Sequence, residues 1–330
     1  MISSRLRSAA SSEPNVSIII PAKNEAVPLA ELLPRIKSVV PHAEVLVVDD
    51  ASSDSTAEVA ARFGAVVVRH PYGMGNGAAI KTGARAATGD VFVFMDADGQ
   101  HDPVDIPRLL SELSKGFDMV VGSRTDASQA NRARALANRF YNCLASYMTG
   151  QQVKDLTSGF RAARASKFRE FLYLLPNGFS YPTTSTMSFF RAGYPVGYLP
   201  VEIKKRIGAS HIRPLQDGLR FLLIIFKVGT LYSPLKLFFP VSVTFFLTGL
   251  CYYLYTFVTS SRFTNMSALM LTTAVLVFLI GLVSEQITQL IYRPVQATLR
   301  IGQPGVESGV PNGDTVDQRV RRVVVGERAS

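Results

Sequence analysis

The sequence has only two cysteines among its 330 residues. Cys143 and Cys251 lie far apart, so they offer neither a disulfide framework nor the paired spacing of a zinc site. Such scarcity favours a reducing compartment. Residues 1–14 are basic and polar with no apolar stretch behind them, so we do not expect them to act as a secretory signal. We expect these residues to form a loose lead-in.

Long apolar runs are missing from the first 200 residues and begin only after Phe221. The length favours about two domains, and the apolar runs suggest that the second is of a different kind from the first. The chain carries 35 basic against 25 acidic residues, a net charge of +10. This excess is compatible with nucleic acid, an anionic membrane or an anionic substrate as partner.

Two apolar runs, at residues 235–258 and 267–292, predict a pair of transmembrane helices within a segment spanning 234–293. A helix of 24 residues is ~36 Å long, enough to cross a bilayer core. The short link holds one charge, Arg262, whereas basic residues crowd the flanks, which predicts cytoplasmic termini. Residues 213–233 predict an interfacial amphipathic helix, or alternatively a buried helix of the soluble domain. The aperiodic segment 294–330 predicts a disordered cytosolic tail.

The first 200 residues alternate short apolar strands with helical patterns. We predict strands at 16–20, 44–48, 65–68, 91–95 and 119–121, and helices at 28–39, 54–63, 77–87 and 103–114. Continuous apolar strands separated by helices are typical of a mostly parallel, Rossmann-like α/β sheet covered on both faces. Such sheets bind ligands at the carboxyl ends of their strands, so the residues that follow each strand are the candidates for chemistry.

The strongest candidate is the acidic motif that directly follows the strand at 91–95. In extended chain, residues two apart point to the same side, so Asp96 and Asp98 would face one point. Adjacent carboxylates repel unless a cation lies between them. Oxygen ligands of this kind suit Mg²⁺ or Mn²⁺, and Gln100 would add an amide oxygen. The alternative is a cap for the next helix, a role for which Asp102 is better placed.

Two polar turns follow the neighbouring strands, at residues 21–25 and 49–54. Carboxylates there can accept hydrogen bonds from a nucleotide base or a ribose hydroxyl. Turn formation alone would also explain the composition. Two such turns beside a third acidic motif nevertheless favour a nucleotide site. A glycine-rich stretch at 73–77, followed by Lys81, would admit a phosphate or a sugar, but it matches neither the dinucleotide nor the Walker pattern.

These pieces resemble the family 2 glycosyltransferases of the GT-A fold. The resemblance is carried by IIIPAKNE, VVDDASSDST, GNGAAIKTGARAATGD, FMDADGQHDP, VVGSR and DLTSGFR, and it covers about residues 16–211. The last two motifs point to the polyprenol-phosphate branch, whose members include dolichol-phosphate mannose synthases. The resemblance implies a cytosolic GT-A domain at 15–212 that transfers a sugar, with inversion, from a nucleotide-diphosphate sugar of GDP-mannose or UDP-glucose type to a polyprenyl phosphate. The implied partners are these substrates and the lipid bilayer, with a homo-oligomer possible and without nucleic acid.

The resemblance also implies roles for individual residues. Nucleotide-sugar contacts would come from Pro21, Asn24, Glu25, Asp49, Asp50, Lys81, Asp96 and Ala97. The divalent cation would be held by Asp96, Asp98 and Gln100. The catalytic residues would be Asp98, Asp155 and Arg161, with Asp155 acting either as a base or as a group that orients Arg161 and the acceptor. The acceptor phosphate would be held by Arg124 and by Lys205, Arg206 and Ser210 of the basic stretch KKRIGASHI.

Three other interpretations are weaker. Processive polysaccharide synthases share the GT-A core, but they carry a Gln-x-x-Arg-Trp motif, and this chain has no tryptophan. A non-catalytic membrane scaffold would not need the intact acidic motif. A dinucleotide-dependent oxidoreductase would carry GxGxxG after the first strand, which is absent here. A glycosyltransferase that acts on another lipid or glycan stays open.

Overall fold

The structure is a computed structural model that describes residues 14–124, 132–178, 181–203 and 229–291. Several predictions from the sequence fall outside these residues. They are the lead-in as far as residue 13, the acceptor-loop residues Lys205, Arg206 and Ser210, residues 213–228 of the interfacial helix, and the tail at 294–330.

The soluble part is built on a seven-stranded sheet. Its strands are β1 (Val16–Ala22), β2 (Glu44–Asp49), β3 (Val66–Arg69), β4 (Val91–Phe94), β5 (Met119–Arg124), β6 (Arg161–Arg164) and β7 (Val196–Val201). They are arranged in the order β3-β2-β1-β4-β6-β5-β7. Strand β6 runs antiparallel to β4 and β5, and the other neighbours are parallel. The predicted mostly parallel sheet is confirmed.

Helices cover both faces of this sheet. They are α1 (Ala26–Val39), α2 (Thr56–Arg62), α3 (Asn76–Ala86), α4 (Asp105–Ser114), α5 (Arg132–Thr149), α6 (Ala165–Arg169) and α7 (Tyr181–Arg191). In β1, Ile18 and Ile20 join the core cluster formed with α1 and α4, whereas Ile19 joins the cluster on the other face with α3, α6 and α7. Burial on both faces explains why the strand is continuously apolar rather than alternating.

The carboxyl ends of β4 and β5 lie at the same edge of the sheet. Both strands are antiparallel to β6, and the first residue of β6, Arg161, pairs with Phe94 of β4 and Val121 of β5. The segments that follow β4 and β5 and the one that precedes β6 therefore meet. We did not predict β6 or β7, because β6 is short with charged ends and β7 contains Gly197 and Pro200. Proline is tolerated there because β7 is an edge strand.

The chain ends, within the described residues, in two long apolar helices, α8 (Pro234–Ser260) and α9 (Asn265–Ile291). Both are long and apolar enough to cross a membrane, and the predicted hairpin is confirmed. Small or hydroxyl side chains are buried at every seventh position, namely Ser242, Gly249 and Thr256 in α8 and Ser267, Ala274, Gly281 and Thr288 in α9. A Cβ on Gly249 would lie 2.9 Å from the Cβ of Met270, so the glycine permits close packing.

Candidate active site

The two predicted polar turns after β1 and β2 bind each other. Asn24 adopts a left-handed conformation with φ of 56°. Its side-chain oxygen accepts a hydrogen bond from the Ser53 amide at 2.8 Å, and its own amide donates to the Ser52 hydroxyl at 2.9 Å. The Glu25 amide donates to the Thr56 hydroxyl at 3.0 Å. Pro21 and the turn that follows it are thus fixed against the neighbouring turn before any ligand binds.

Asp49 is fully buried at the end of β2. One carboxylate oxygen accepts the Ser52 amide at 2.9 Å, and the other lies 3.1 Å from the Nε atom of Arg69. Arg69 itself is about half exposed, with 55% of its side-chain surface accessible. The predicted contact between Asp49 and a nucleotide would therefore require this ion pair to open, whereas Arg69 is accessible to a ligand as it stands.

Asp50 closes the glycine-rich loop. Its carboxylate accepts hydrogen bonds from Nδ1 of His70 at 2.8 Å, from the Met74 amide at 2.7 Å and from the Gly75 amide at 2.9 Å. Burial raises the pKa of Asp50, but the hydrogen bonds from His70 and the two amides outweigh burial and hold the pKa below its ordinary value. Asp50 is therefore ionised and shapes the loop.

The glycines at the start of α3 admit protein backbone rather than a phosphate, contrary to the expectation from their spacing. The Gly77 amide donates to the Gly178 carbonyl at 3.1 Å, and the Ala78 amide donates to the Asn177 carbonyl at 2.8 Å. A Cβ on Gly77 would lie 2.0 Å from the carbonyl oxygen of Pro176. Two of the amides that a helix N-terminus could offer to an anion are thus occupied.

The Lys81 side chain also links α3 to the segment at 175–177. Its Nζ atom donates to the Leu175 carbonyl at 3.1 Å and to the side-chain oxygen of Asn177. Burial, followed by the nearby charge of Arg85, lowers the pKa of Lys81. Lys81 therefore fixes the segment before α7, and it would reach a nucleotide sugar only by changing partners.

The acidic motif after β4 forms a turn, not the extended segment that we predicted. The strand ends at Phe94, residues 97–98 are in a turn, and Gly99 has a φ of 70°. A carboxylate oxygen of Asp98 accepts the Gln100 amide at 3.1 Å. The left-handed conformation of Gly99 bends the chain here. Asp96 and Asp98 therefore lie at the sheet edge because they belong to one turn, and not because alternate residues of a strand point to the same side.

The residues of the turn fit a cation that arrives with a diphosphate. Among the described residues, no group of three or more His, Cys, Asp or Glu side chains gathers as a complete metal site. Asp96 and Asp98 supply two carboxylates, and Mg²⁺ usually takes its other ligands from substrate phosphates and water. Gly159 leaves room beside Asp96, because a Cβ at 159 would lie 2.6 Å from a carboxylate oxygen of Asp96. Ala97 is buried and anchors the turn, so only its backbone can face a nucleotide.

Asp155 and Arg124 form an ion pair at the same edge of the sheet, since Arg124 ends β5 and Asp155 lies in the segment that precedes β6. One oxygen of Asp155 accepts Nε of Arg124 at 2.8 Å and its amide at 3.1 Å, and the other accepts Nη2 at 2.9 Å. The amides of Thr157 and Ser158 also donate to Asp155, each at 3.1 Å. Burial raises the pKa of Asp155, but the bonds from Arg124 outweigh it and leave the pKa low. The geometry favours the orienting role over the base, and the residue oriented is Arg124 rather than Arg161.

Arg161 has no exposed surface. Its Nη1 atom donates to the Pro182 carbonyl at 2.9 Å, the Ser185 hydroxyl at 2.8 Å and the Thr186 hydroxyl at 3.0 Å. Its Nη2 atom donates to the Ser158 carbonyl. The predicted catalytic role of Arg161 would require the side chain to become exposed, since none of its surface is accessible in this structure. Arg161 instead positions the start of α7 beneath the sheet edge.

His101 belongs to this centre and was not among the predicted residues. It is buried, and its ring stacks on Phe160 with centroids 4.9 Å apart. Burial and the charge of Arg124 lower the pKa of His101 to about 4, although Asp155 acts in the opposite direction. The imidazole is therefore neutral at pH 7. The position of His101 directly after Gln100 could have indicated that it belongs to the site, but nothing in the sequence marked the residue as buried.

Helix α7 connects this centre to the hairpin. At its first residue, the Tyr181 hydroxyl donates to the Gly159 carbonyl at 3.0 Å, and burial together with the charge of Asp96 raises the pKa of Tyr181. At its last residue, Arg191 pairs with Glu285 of α9 at 3.0 Å. A single helix thus contacts both the acidic turn and the apolar hairpin.

Comparison with known sequences matches two parts of the chain. The description "Glycosyl transferase family 2" applies to residues 17–172, and "GtrB C-terminal hairpin" to residues 233–290. Together with the two apolar helices, the second match indicates association with a membrane.

Individual relatives carry related names. The glycosyltransferase AglJ of Haloferax volcanii is 29% identical over 73% of this chain and 80% of its own length. An undecaprenyl-phosphate 4-deoxy-4-formamido-L-arabinose transferase of Edwardsiella ictaluri is 35% identical over 48% of this chain and 51% of its own. A dolichol-phosphate mannosyltransferase of Pyrococcus furiosus is 36% identical over 50% of each chain. The chain thus spans about half the length of the last two.

Solved structures share the fold. The glucosyl-3-phosphoglycerate synthase of Mycobacterium tuberculosis, in complex with Mn²⁺ and UDP-glucose, superposes with a TM-score of 0.52. It is 23% identical over 66% of this chain and 78% of its own. The two matched segments show that the chain carries a family 2 glycosyltransferase domain at residues 17–172, followed by a GtrB-type C-terminal hairpin at 233–290.

Proposed function

We propose that this protein transfers a sugar from a nucleotide-diphosphate sugar to a membrane polyprenyl phosphate, in a reaction that depends on Mg²⁺ or Mn²⁺. The observation that carries the proposal is the placement of the acidic turn at 96–98 beside the Arg124–Asp155 pair, in a chain that also bears a membrane hairpin. The relatives named for undecaprenyl-phosphate and dolichol-phosphate transfer support the acceptor class.

The donor would lie along the edge formed by the turns after β1, β2 and β4. Pro21, Asn24 and Glu25 would line one side, with the exposed guanidinium of Arg69 at the end of β3. A cation on Asp96, Asp98 and Gln100 would offset the negative charge that develops on the departing diphosphate. Asp98 is the residue we place closest to this step.

The acceptor supplies its own nucleophile. A phosphate monoester has a second pKa near ~6, so one of its oxygens is already anionic at pH 7. That oxygen would attack the anomeric carbon as the bond to the diphosphate breaks, with inversion, and a nucleoside diphosphate would leave. No strong base is needed, which agrees with an Asp155 carboxylate committed to Arg124. Arg124 would hold the phosphate, aided by Lys205, Arg206 and Ser210.

The hairpin would bring the enzyme to a substrate that cannot leave the bilayer. We propose that α8 and α9 both span the membrane, with the catalytic domain and both termini in the cytoplasm. Basic residues concentrated on one side of the hairpin support this orientation.

The test is an assay of the purified full-length protein with GDP-mannose or UDP-glucose and with decaprenyl or undecaprenyl phosphate, with Mn²⁺, with Mg²⁺ or with chelator. We expect a metal-dependent glycolipid product, which Asp98→Asn should reduce by about 100-fold or more because it weakens the site for the cation. Asp118→Asn is the matched control, since Asp118 pairs with Arg164 at the opposite end of β5. An Asp98→Asn enzyme as active as Asp118→Asn would contradict the metal role.

A further inference from the structure

A cavity of about 680 Å³ lies between the soluble domain and the base of the hairpin. Its apolar walls come from both parts, with Met187 and Phe190 on α7 and with Leu235, Phe239 and Phe278 on the hairpin. The volume falls within the ~300–1,000 Å³ that is typical of small-molecule sites. None of these side chains belongs to the proposed nucleotide and metal site.

The charged groups around the cavity already have partners. Arg191 pairs with Glu285 at 3.0 Å. The Nζ atom of Lys236 donates to the backbone carbonyls of Tyr147 at 3.2 Å and Met148 at 2.9 Å, at the end of α5. An anionic headgroup would have to displace these contacts, whereas an apolar chain would leave them intact. The cavity therefore suits a hydrocarbon chain better than a phosphate.

The position of the cavity relative to the catalytic edge follows from α7. At one end of the helix, the Tyr181 hydroxyl donates to the carbonyl of Gly159, the residue that packs beside Asp96, and Met187 is six residues further on, ~9 Å along the helix axis. A lipid whose phosphate lies at the catalytic edge must cross this distance before its chain reaches the bilayer. Apolar chain exposed to water along that path is unfavourable, and the cavity offers cover at the level where the hairpin begins.

We propose that this cavity binds the part of the acceptor's isoprenoid chain that lies nearest its phosphate. The inference rests on the proposed function, because it takes the acceptor to be a polyprenyl phosphate. It assigns Met187, Phe190 and Phe278 as residues that determine acceptor affinity without touching the reacting atoms.

One test fills the cavity. Met187→Trp and Phe278→Trp should each raise the KM for undecaprenyl phosphate by about fivefold or more, since each displaces buried chain carbons. The KM for the nucleotide sugar should stay within about twofold of wild type, because the donor edge is untouched. Phe246→Trp is the control, since Phe246 is 46% exposed on the outer surface of α8. Equal effects of all three variants on the acceptor KM would overturn the proposal.

A second test uses the wild-type enzyme, so it does not depend on the folding of a variant. An undecaprenyl phosphate that carries a diazirine in its first isoprene units is photolysed with the protein in nanodiscs, and labelled peptides are mapped by mass spectrometry. We expect labels on α7 and at the base of the hairpin, and a phospholipid with a diazirine in its acyl chain should not label these segments. Labels confined to the outer faces of α8 and α9, or equal labelling by the phospholipid, would overturn the inference. Failure of the wild-type enzyme to glycosylate either decaprenyl or undecaprenyl phosphate with either nucleotide sugar would instead refute the proposed function.

Discussion

Replacement of Asp155 by asparagine tests the buried ion pair at the acceptor side. The carboxylate is 4% exposed and receives Nε and Nη2 of Arg124 at 2.8 and 2.9 Å. An asparagine oxygen can still accept the Thr157 and Ser158 amides and Nη2 of Arg124, but the asparagine nitrogen would face two other donors, Nε and the backbone amide of Arg124. Breaking a buried pair costs about 3–5 kcal/mol. Because the Arg124 side chain stays 24% accessible to water, we expect the lower end, about 3 kcal/mol.

Activity should fall together with stability. Arg124 would lose the partner that fixes its guanidinium, and a misplaced contact group lowers the rate by about 100-fold. If Asp155 orients Arg124, the KM for polyprenyl phosphate should rise, and the pH–rate profile should keep its shape. Thermal unfolding of the detergent-solubilised protein measures the stability loss, and steady-state kinetics over a range of pH measure the rest.

A double-mutant cycle separates the two roles that the sequence left open for Asp155. If Asp155 acts through Arg124, then Arg124→Ala and Asp155→Asn together should be no worse than Arg124→Ala alone. Additive losses, or a lost limb in the pH–rate profile of Asp155→Asn with an unchanged acceptor KM, would refute the orienting role and support the base.

Three further outcomes follow from contacts elsewhere. In thermal unfolding, Gly77→Ala should lower the free energy of unfolding by about 1–3 kcal/mol, because its Cβ would meet a backbone carbonyl oxygen at 2.0 Å. Gly178→Ala is the control and should stay near wild type, because its Cβ would meet none of the described residues within 4 Å. Glu285→Gln should lower the unfolding temperature measurably, since loss of the pair with Arg191 costs about 1 kcal/mol. The folded-state pKa of His101, about 4, lies below its ordinary value of 6.5, so the unfolded chain binds a proton first as pH falls. The contribution of His101 to stability should therefore be constant above about pH 6.5 and decline by about 3 kcal/mol toward pH 4, and His101→Phe should remove that part of the decline.

The sheet and the edge that carries the candidate site could be predicted because their signals are local. Strands such as β1 and β4 are continuous apolar runs, and each is followed by the polar turn that the fold requires at its carboxyl end. Local sequence patterns do not predict the order of the strands in the sheet. Strand β6 lies between β4 and β5 although it follows both in sequence, and its four residues carry arginine at both ends.

The contacts at the site that the sequence did not reveal have the same origin. Asp155 finds its partner 31 positions earlier, at Arg124, because β6 brings the two segments together. The resemblance implies a catalytic role for Arg161, yet the residue is buried and bonded to α7, a helix whose run of threonines and serines gave no sign of a core position. The sequence predicted the edge on which Asp96 and Asp98 lie, but it did so by assuming an extended strand. It gave no sign that Gly99 adopts a left-handed conformation and turns the chain.

These non-local contacts suggest why the centre is built as it is. Arg161 and Tyr181 tie the start of α7 to the sheet edge, and Arg191 ties its end to α9. Under the proposed function, an acceptor that stays in the bilayer would reach a cation on Asp96 and Asp98 only if that edge of the sheet were held at a fixed height above the membrane. A rigid helix bonded at both ends meets this requirement without a contact to either substrate. Arg161→Lys, which cannot reproduce the forked hydrogen bonds, should therefore impair transfer to lipid more than it impairs binding of the nucleotide, and equal losses in both would show that Arg161 supports only the fold.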